Sequence, residues 1–118
     1  MGRSYKDLIV WQKAHIFTLE IYKISSTFPD NEKYGITSQV RRAVVSIELN
    51  IVEGKSRMSD KEFRHFLHIS RGSNQEVHCI LEICKDLNYI TNDKYEVLIK
   101  LCDEINKMLN GFIKKISQ

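Results

Sequence analysis

The side chains able to do chemistry gather between Arg41 and Arg71. That span holds seven Lys/Arg against four Asp/Glu, and two of the four histidines, His65 and His68. Lys61, Arg64, His68 and Arg71 recur at steps of three and four, the spacing of one helix face. Cations set in such a row hold phosphates without reading sequence. Arg41, Arg42, Lys55, Arg57, Lys61, Arg64, His68 and Arg71 are therefore the candidate nucleic-acid-binding residues, His68 adding charge below about pH 6.5. The plainer reading is a solvated face whose cations pair with Glu48, Glu53, Asp60 and Glu62. Arg41 has a further alternative, pairing across a subunit interface.

Other chemistries find less support. A di-iron bundle takes two Glu-x-x-His pairs; Glu62-Phe63-Arg64-His65 is one, and no second exists. His65 and His68 could share a metal, but no third ligand is evident. His78, Cys79 and Cys84 raise the same question. Cys84 and Cys102 fall on apolar seam positions, where free cysteine packs as a small hydrophobe. No nucleophile signature appears. Gly54-Lys55-Ser56 lacks the upstream glycine of a phosphate loop. The expectation is a protein that is not an enzyme, with no metal and no cofactor.

The chain that carries these residues has 118 amino acids, one domain (1–118) of ordinary size, with 42% apolar residues. Its one proline and five glycines favour a few long helices over many short strands. The net charge is +3, all of it in residues 1–58; residues 59–118 hold nine Lys/Arg and nine Asp/Glu. Three cysteines suggest no disulfide framework. No signal peptide and no membrane-length apolar run is visible. A reducing cytoplasm is the expected location.

Helical periodicity organises the whole chain. A first helix is expected from Asp7 along Val10, Ala14, Phe17, Ile21, Ile24 and Phe28, ended by Pro29. Residues 29–35 form a turn-rich loop. A second helix is expected from about Ile36 to Arg57, with Asn50 as a buried seam amide that fixes register. The third runs from Ser59 to Ile90 and opens on a capping box, Ser59-Asp60-Lys61-Glu62. Its expected seam is Phe63, Phe66, Ser70, Ser73, Val77, Ile80, Cys84 and Leu87. Gly72 within it costs about 1 kcal/mol against alanine, which suggests close approach by another helix. A fourth helix follows a turn at Thr91–Asp93, with Tyr95, Leu98, Cys102, Ile105, Leu109, Phe112 and Ile116 on its seam. Short connections make these an all-α, antiparallel up-down-up-down four-helix bundle. Ile9, Ile16, Val45, Leu49, Val52, Ile69, Ile83, Ile90 and Ile99 are left over from the seams, and they predict a homo-oligomer.

Several of these segments are specific enough to point to a family. Asp7-Leu8-Ile9-Val10-Trp11-Gln12-Lys13-Ala14 resembles the opening of the ribosomal intervening-sequence proteins. So does the run Thr37 to Ile47. Asn50-Ile51-Val52-Glu53-Gly54 is similar to their Asn-Ile-Ala-Glu-Gly segment. Phe66 to Ser73 with Glu76 is similar to their third helix, and Leu87 to Ile90 to its end. The resemblance covers about residues 5 to 90. It implies a four-helix bundle assembled as a homopentamer, some members being encoded within large-subunit ribosomal RNA genes. It further implies kinship with the accessory variability protein of diversity-generating retroelements, a basic pentamer that binds nucleic acid and partners a reverse transcriptase. One departure stands out: Glu48-Leu49 replaces a Pro-Ala often found after Ser-Ile. A straighter second helix is expected, with an extra carboxylate near the basic set.

The resulting expectation is a homopentameric bundle binding structured RNA or DNA through a basic surface on the second and third helices. The alternative is a protein-interaction scaffold, such as a reverse-transcriptase or ribosome-associated accessory protein, that contacts no nucleic acid.

Overall fold

The computed structural model describes residues 4–117. Four α-helices account for most of them: α1 (Ile9–Ser25), α2 (Ile36–Lys55), α3 (Asp60–Asp86) and α4 (Asn92–Ile116), with short 3-10 turns at Tyr5–Asp7 and Asp30–Glu32. Each helix packs on its neighbours in the chain, and α4 closes back on α1. The bundle measures 45 × 23 × 20 Å. The antiparallel four-helix architecture is as the periodicity predicts.

The helix ends show where local chemistry competes with period. Asp7 does not open α1. Ser4 caps the 3-10 turn instead, its Oγ accepting from the Lys6 amide at 3.1 Å, and α1 begins two residues later. At its far end α1 stops at Ser25, before Pro29 can act. The Ser25, Ser26 and Thr27 hydroxyls donate back to the Tyr22, Lys23 and Ile24 carbonyls, offering the backbone an alternative to further helix. The serine half of the box at Ser59 forms, its Oγ accepting from the Glu62 amide at 3.2 Å, while the Glu62 carboxylate reaches back to the Ser59 hydroxyl and not to its amide. α3 stops short of Ile90 because Asn88 adopts φ 62°, letting the Tyr89 amide reach the Cys84 carbonyl at 2.8 Å. Thr91 caps α4, its Oγ1 accepting from the Lys94 amide.

The core is built from Phe17, Ile21, Ile47, Ile51, Leu67, Leu81, Ile105 and Leu109, all fully buried. The buried face of α3 is rotated from the expected seam. Leu67, Asn74 and Leu81 join Ser70, Val77, Ile80 and Cys84 inside, while Phe63, Phe66 and Ser73 are half-buried and Leu87 is exposed. The cause is that α3 serves two neighbours, α2 and α4, and buries a stripe wider than a two-helix seam. The seam amide is likewise Asn74, not Asn50. Asn74 donates to the Cys102 carbonyl at 2.9 Å and accepts from the Cys102 thiol at 3.3 Å. Asn50 is half-buried and bonds Ser46 of its own helix.

Close helix approach falls at Gly54, not Gly72. A Cβ on Gly54 would lie 2.7 Å from Phe63 Cδ1 and 3.0 Å from Phe66 Cβ, so α2 and α3 cross there only because that atom is missing. A Cβ on Gly72 would meet nothing within 4 Å. Cys84 and Cys102 are buried, and burial pushes their thiols up to about 11 and about 12. Cys79 is exposed. Ile90, expected outside, is inside the core, and Val45, Val52 and Ile99 are half-buried, whereas Ile9, Ile16, Leu49, Ile69 and Ile83 remain exposed.

Candidate nucleic-acid interface

The fold divides the eight candidate residues into three groups. Arg41 and Arg42 lie fourteen and thirteen residues from Lys55 on α2, about 20 Å along the helix. Arg41 faces α1: its Nε donates to Ser25 Oγ at 2.8 Å, its Nη2 donates to the Tyr22 carbonyl at 3.2 Å, and its guanidinium lies 4.7 Å from the Tyr22 ring centre. It closes the carboxyl end of α1, so the subunit-interface alternative is not needed to satisfy it. Arg42 is exposed on the rim of a groove with Tyr22, Val45 and Leu49.

The second group surrounds the α2–α3 turn. Arg57 pairs with Glu53 at 2.9 Å, lies 3.9 Å from Glu62 and covers the Phe66 ring at 4.7 Å. Two carboxylates offset its charge, which is the plainer reading realised for this residue. Lys55 is half-buried and Lys61 exposed, and neither has a carboxylate of the described residues within ion-pair reach. Glu48, expected beside the basic set, turns the other way. It is buried against α1, 3.1 Å from His15 Nδ1, whose ring stacks on Trp11.

The third group, Arg64, His68 and Arg71, borders α4 and not α2. Arg71 Nη1 donates to Asn110 Oδ1 at 2.7 Å, and Arg71 Nη2 donates to His68 Nδ1 at 2.9 Å. A guanidinium can only donate, so this contact requires a neutral His68.

The α3–α4 register brings in residues that the linear pattern missed. Arg71 meets Asn110, Gln75 meets Asn106, and His78 meets Asp103 at 3.5 Å. Each step forward on α3 thus matches an equal step back on α4. Residues 63–75 and 105–117 therefore lie alongside each other, to within one residue of this register. These two stretches contain Arg64, Arg71, Lys107, Lys114 and Lys115, together with His65 and His68, and not one Asp or Glu. Lys107 and Lys114 stand one helical turn either side of Asn110. Continuing along the same pair, residues 76–86 and 92–104 hold seven Asp/Glu against three Lys/Arg. The balanced count over residues 59–118 conceals a bundle that is basic at one end and acidic at the other. The only linear signal was the carboxylate-free run from Ile105 onward.

Among the described residues, no three His, Cys, Asp or Glu side chains form a metal-ligand set. Glu62 is engaged with Ser59 and lies near Arg57, and His65 is exposed and edge-on to Phe66. No described helix is long and apolar enough to cross a membrane.

An antiparallel bundle of four helices is the class that the fold defines. Within that class, the chain belongs to the 23S rRNA-intervening sequence protein family, whose model matches residues 6–111. Among solved structures it is similar to a protein of unknown function from the S23 ribosomal protein family of Bacteroides thetaiotaomicron, at 29% identity. That match covers 90% of this chain and 99% of the other, with a TM-score of 0.81. No curated protein matches the chain.

Proposed function

We propose that this protein is a non-enzymatic, cytoplasmic homo-oligomer, a pentamer, that binds the phosphates of structured RNA or DNA. The observation that carries the reading is the juxtaposition of residues 63–75 and 105–117, five Lys/Arg with no carboxylate between them. Lys61, Arg64, Arg71, Lys107 and Lys114 are the principal phosphate ligands, with Lys55 at the edge. Arg57 and Arg41 act chiefly within the fold. In the oligomer, the flank of Ile16, Leu19, Tyr22 and Leu49 on α1 and α2 is covered by another copy. These are exposed large apolar residues, and the last two border the groove that carries Arg42.

Binding of a structured RNA and a duplex DNA across salt concentrations, with solution mass recorded alongside, tests this. Affinity falling steeply as salt rises, from a particle of about five subunits, is the expected result. Absence of binding at about 50 mM salt overturns it. In that event the apolar flank supports the second reading, a scaffold for another protein, tested by pull-down from nuclease-treated lysate.

A further inference from the structure

We infer that copies of this protein associate end to end, the basic end of one bundle seated on the acidic end of the next. The partner is a second copy of this chain. The contact is separate from the apolar flank assigned to the oligomer above, and it requires no nucleic acid.

Antiparallel packing gathers each end from distant segments. The α2–α3 turn shares its end with the start of α1 and the finish of α4. At the opposite end the α1–α2 loop meets the α3–α4 turn directly. There the Tyr89 hydroxyl donates to Glu32 at 2.7 Å, and the Phe28 and Tyr89 rings lie 5.7 Å apart. Residues 4–8, 53–64 and 111–117 form the first end, with seven Lys/Arg against four Asp/Glu. Residues 26–37 and 82–97 form the second, with six Asp/Glu against three Lys/Arg. The two surpluses are equal and opposite.

Much of each surplus is left unpaired within one copy. At the basic end Arg57 pairs with Glu53 and lies near Glu62, whereas Lys55, Lys61, Arg64, Lys114 and Lys115 have no carboxylate of the described residues within ion-pair reach. At the acidic end Lys85 takes Glu82, while Asp30, Asp86, Asp93 and Glu96 have no cation of the described residues within that reach. Opposed potentials of this kind steer an encounter and fix its orientation. Like ends repel, so the favoured arrangement is head to tail.

Each end also carries an apolar point. Met58 on the α2–α3 turn is 96% exposed and Tyr34 on the α1–α2 loop is 89% exposed, the two highest values among the large hydrophobic residues described. Neither belongs to the core or to the flank of Ile16, Leu19, Tyr22 and Leu49. An apolar centre with a charged rim is the anatomy of a protein–protein contact, and here the rim is positive at one end and negative at the other. A head-to-tail contact is heterologous and, along the bundle axis, does not close, so it builds open rows. An end face of 23 × 20 Å limits the contact to under about 1,000 Å² in total, the size of a transient one. The rows are therefore weak, reversible and sensitive to salt. On the phosphate-binding reading above, ligand and row compete for Lys61 and Arg64.

Sedimentation velocity of the full chain at pH 7, from about 10 to 500 μM protein at about 20 and about 300 mM salt, tests this. The average mass is expected to rise at least about twofold with concentration at low salt and to return to that of the parent particle at high salt. Lys61→Glu with Lys115→Glu turns the basic end acidic, and Asp86→Lys with Glu96→Lys turns the acidic end basic. All four positions are exposed, so both proteins are expected to keep the parent's helicity. Each alone is expected to lose the rise, because its two ends now carry the same sign. An equimolar mixture of the two is expected to regain it. Met58→Ser with Tyr34→Ser is expected to weaken the association at least about threefold. A mass independent of concentration at low salt, a rise that survives in either charge variant, a mixture that stays at the parent mass, or unchanged association in the serine variant overturns the inference. The mass at high salt reports the flank oligomer alone, so failure of that reading is seen separately.

Discussion

Along the α3–α4 pair, residues 63–75 and 105–117 hold five Lys/Arg and no carboxylate, whereas residues 76–86 and 92–104 hold three Lys/Arg and seven Asp/Glu. Part of the charge of the acidic half is used within the fold. Glu82 accepts from the Tyr95 hydroxyl at 2.8 Å and pairs with Lys85 at 2.9 Å; Asp103 faces His78, and Glu104 reaches Lys13 on α1. In the basic half Arg71 is oriented by Asn110 and His68, and no carboxylate of the described residues lies within ion-pair reach of it. Ion pairs that close locally leave little field outside the molecule, while unpaired cations on one face project theirs. The same two helices thus provide an acidic end, part of whose charge is paired within the fold, and a basic end whose cations have no ion-pair partner among the described residues.

This contrast can be broken or sharpened by substitution. The largest effect is expected from Arg64→Glu with Lys114→Glu, which puts two carboxylates into the basic half. Duplex affinity at about 50 mM salt should fall on the order of 30-fold, about 2 kcal/mol, with helicity and solution mass unchanged. An unaltered binding isotherm removes the basic half from the interface. Next comes Asn74, at the junction between the halves. Asn74→Ala removes the buried bonds to Cys102 and should lower the unfolding free energy by about 1–3 kcal/mol, read from urea titrations at one protein concentration.

A smaller effect tests the acidic half by pH. The Lys85 ion pair and the Tyr95 hydroxyl hold the Glu82 carboxyl below its ordinary value of 4.5. A lowered carboxylate stabilises the fold at pH above that ordinary value and loses the contribution as pH falls through the folded value. The melting-temperature gap between the parent and Glu82→Gln should therefore be present at pH 6 and shrink below about pH 4.5. A gap independent of pH would show that Glu82 acts by packing alone. The smallest effect is expected from Glu96→Gln with Asp103→Asn. Removing two carboxylates from the acidic half should raise duplex affinity only about two- to threefold, through the long-range field, and less at high salt.

Much of the scaffold was legible along the chain because its causes are local. Ser59 and Thr91 accept from amides three residues on, and the apolar period of α4 survives from Tyr95 to Leu109. Where expectation and structure part, a non-local partner or a competing local bond is responsible. Asn50 and Asn74 look alike in sequence, and only the position of α4 makes the second the buried one. Gly54 and Gly72 are both glycines within helices, yet the side chains that exclude a Cβ, Phe63 and Phe66, reach only the first. Along the chain Arg41 and Arg57 could bind phosphate or pair with a carboxylate, and the placement of Ser25, Tyr22, Glu53 and Phe66 shows how the fold uses them.

The amino-acid sequence alone determined the four helices, the cap at Ser59, the bundle class and the family resemblance, because period, capping and turn chemistry act within a few residues. Tertiary structure alone decided which charges share a surface. Antiparallel packing lays residue 71 beside residue 110 and residue 78 beside residue 103. Charge counted along the chain sums to zero over residues 59–118, but electrostatic potential adds in space, and there the basic and acidic ends stay apart.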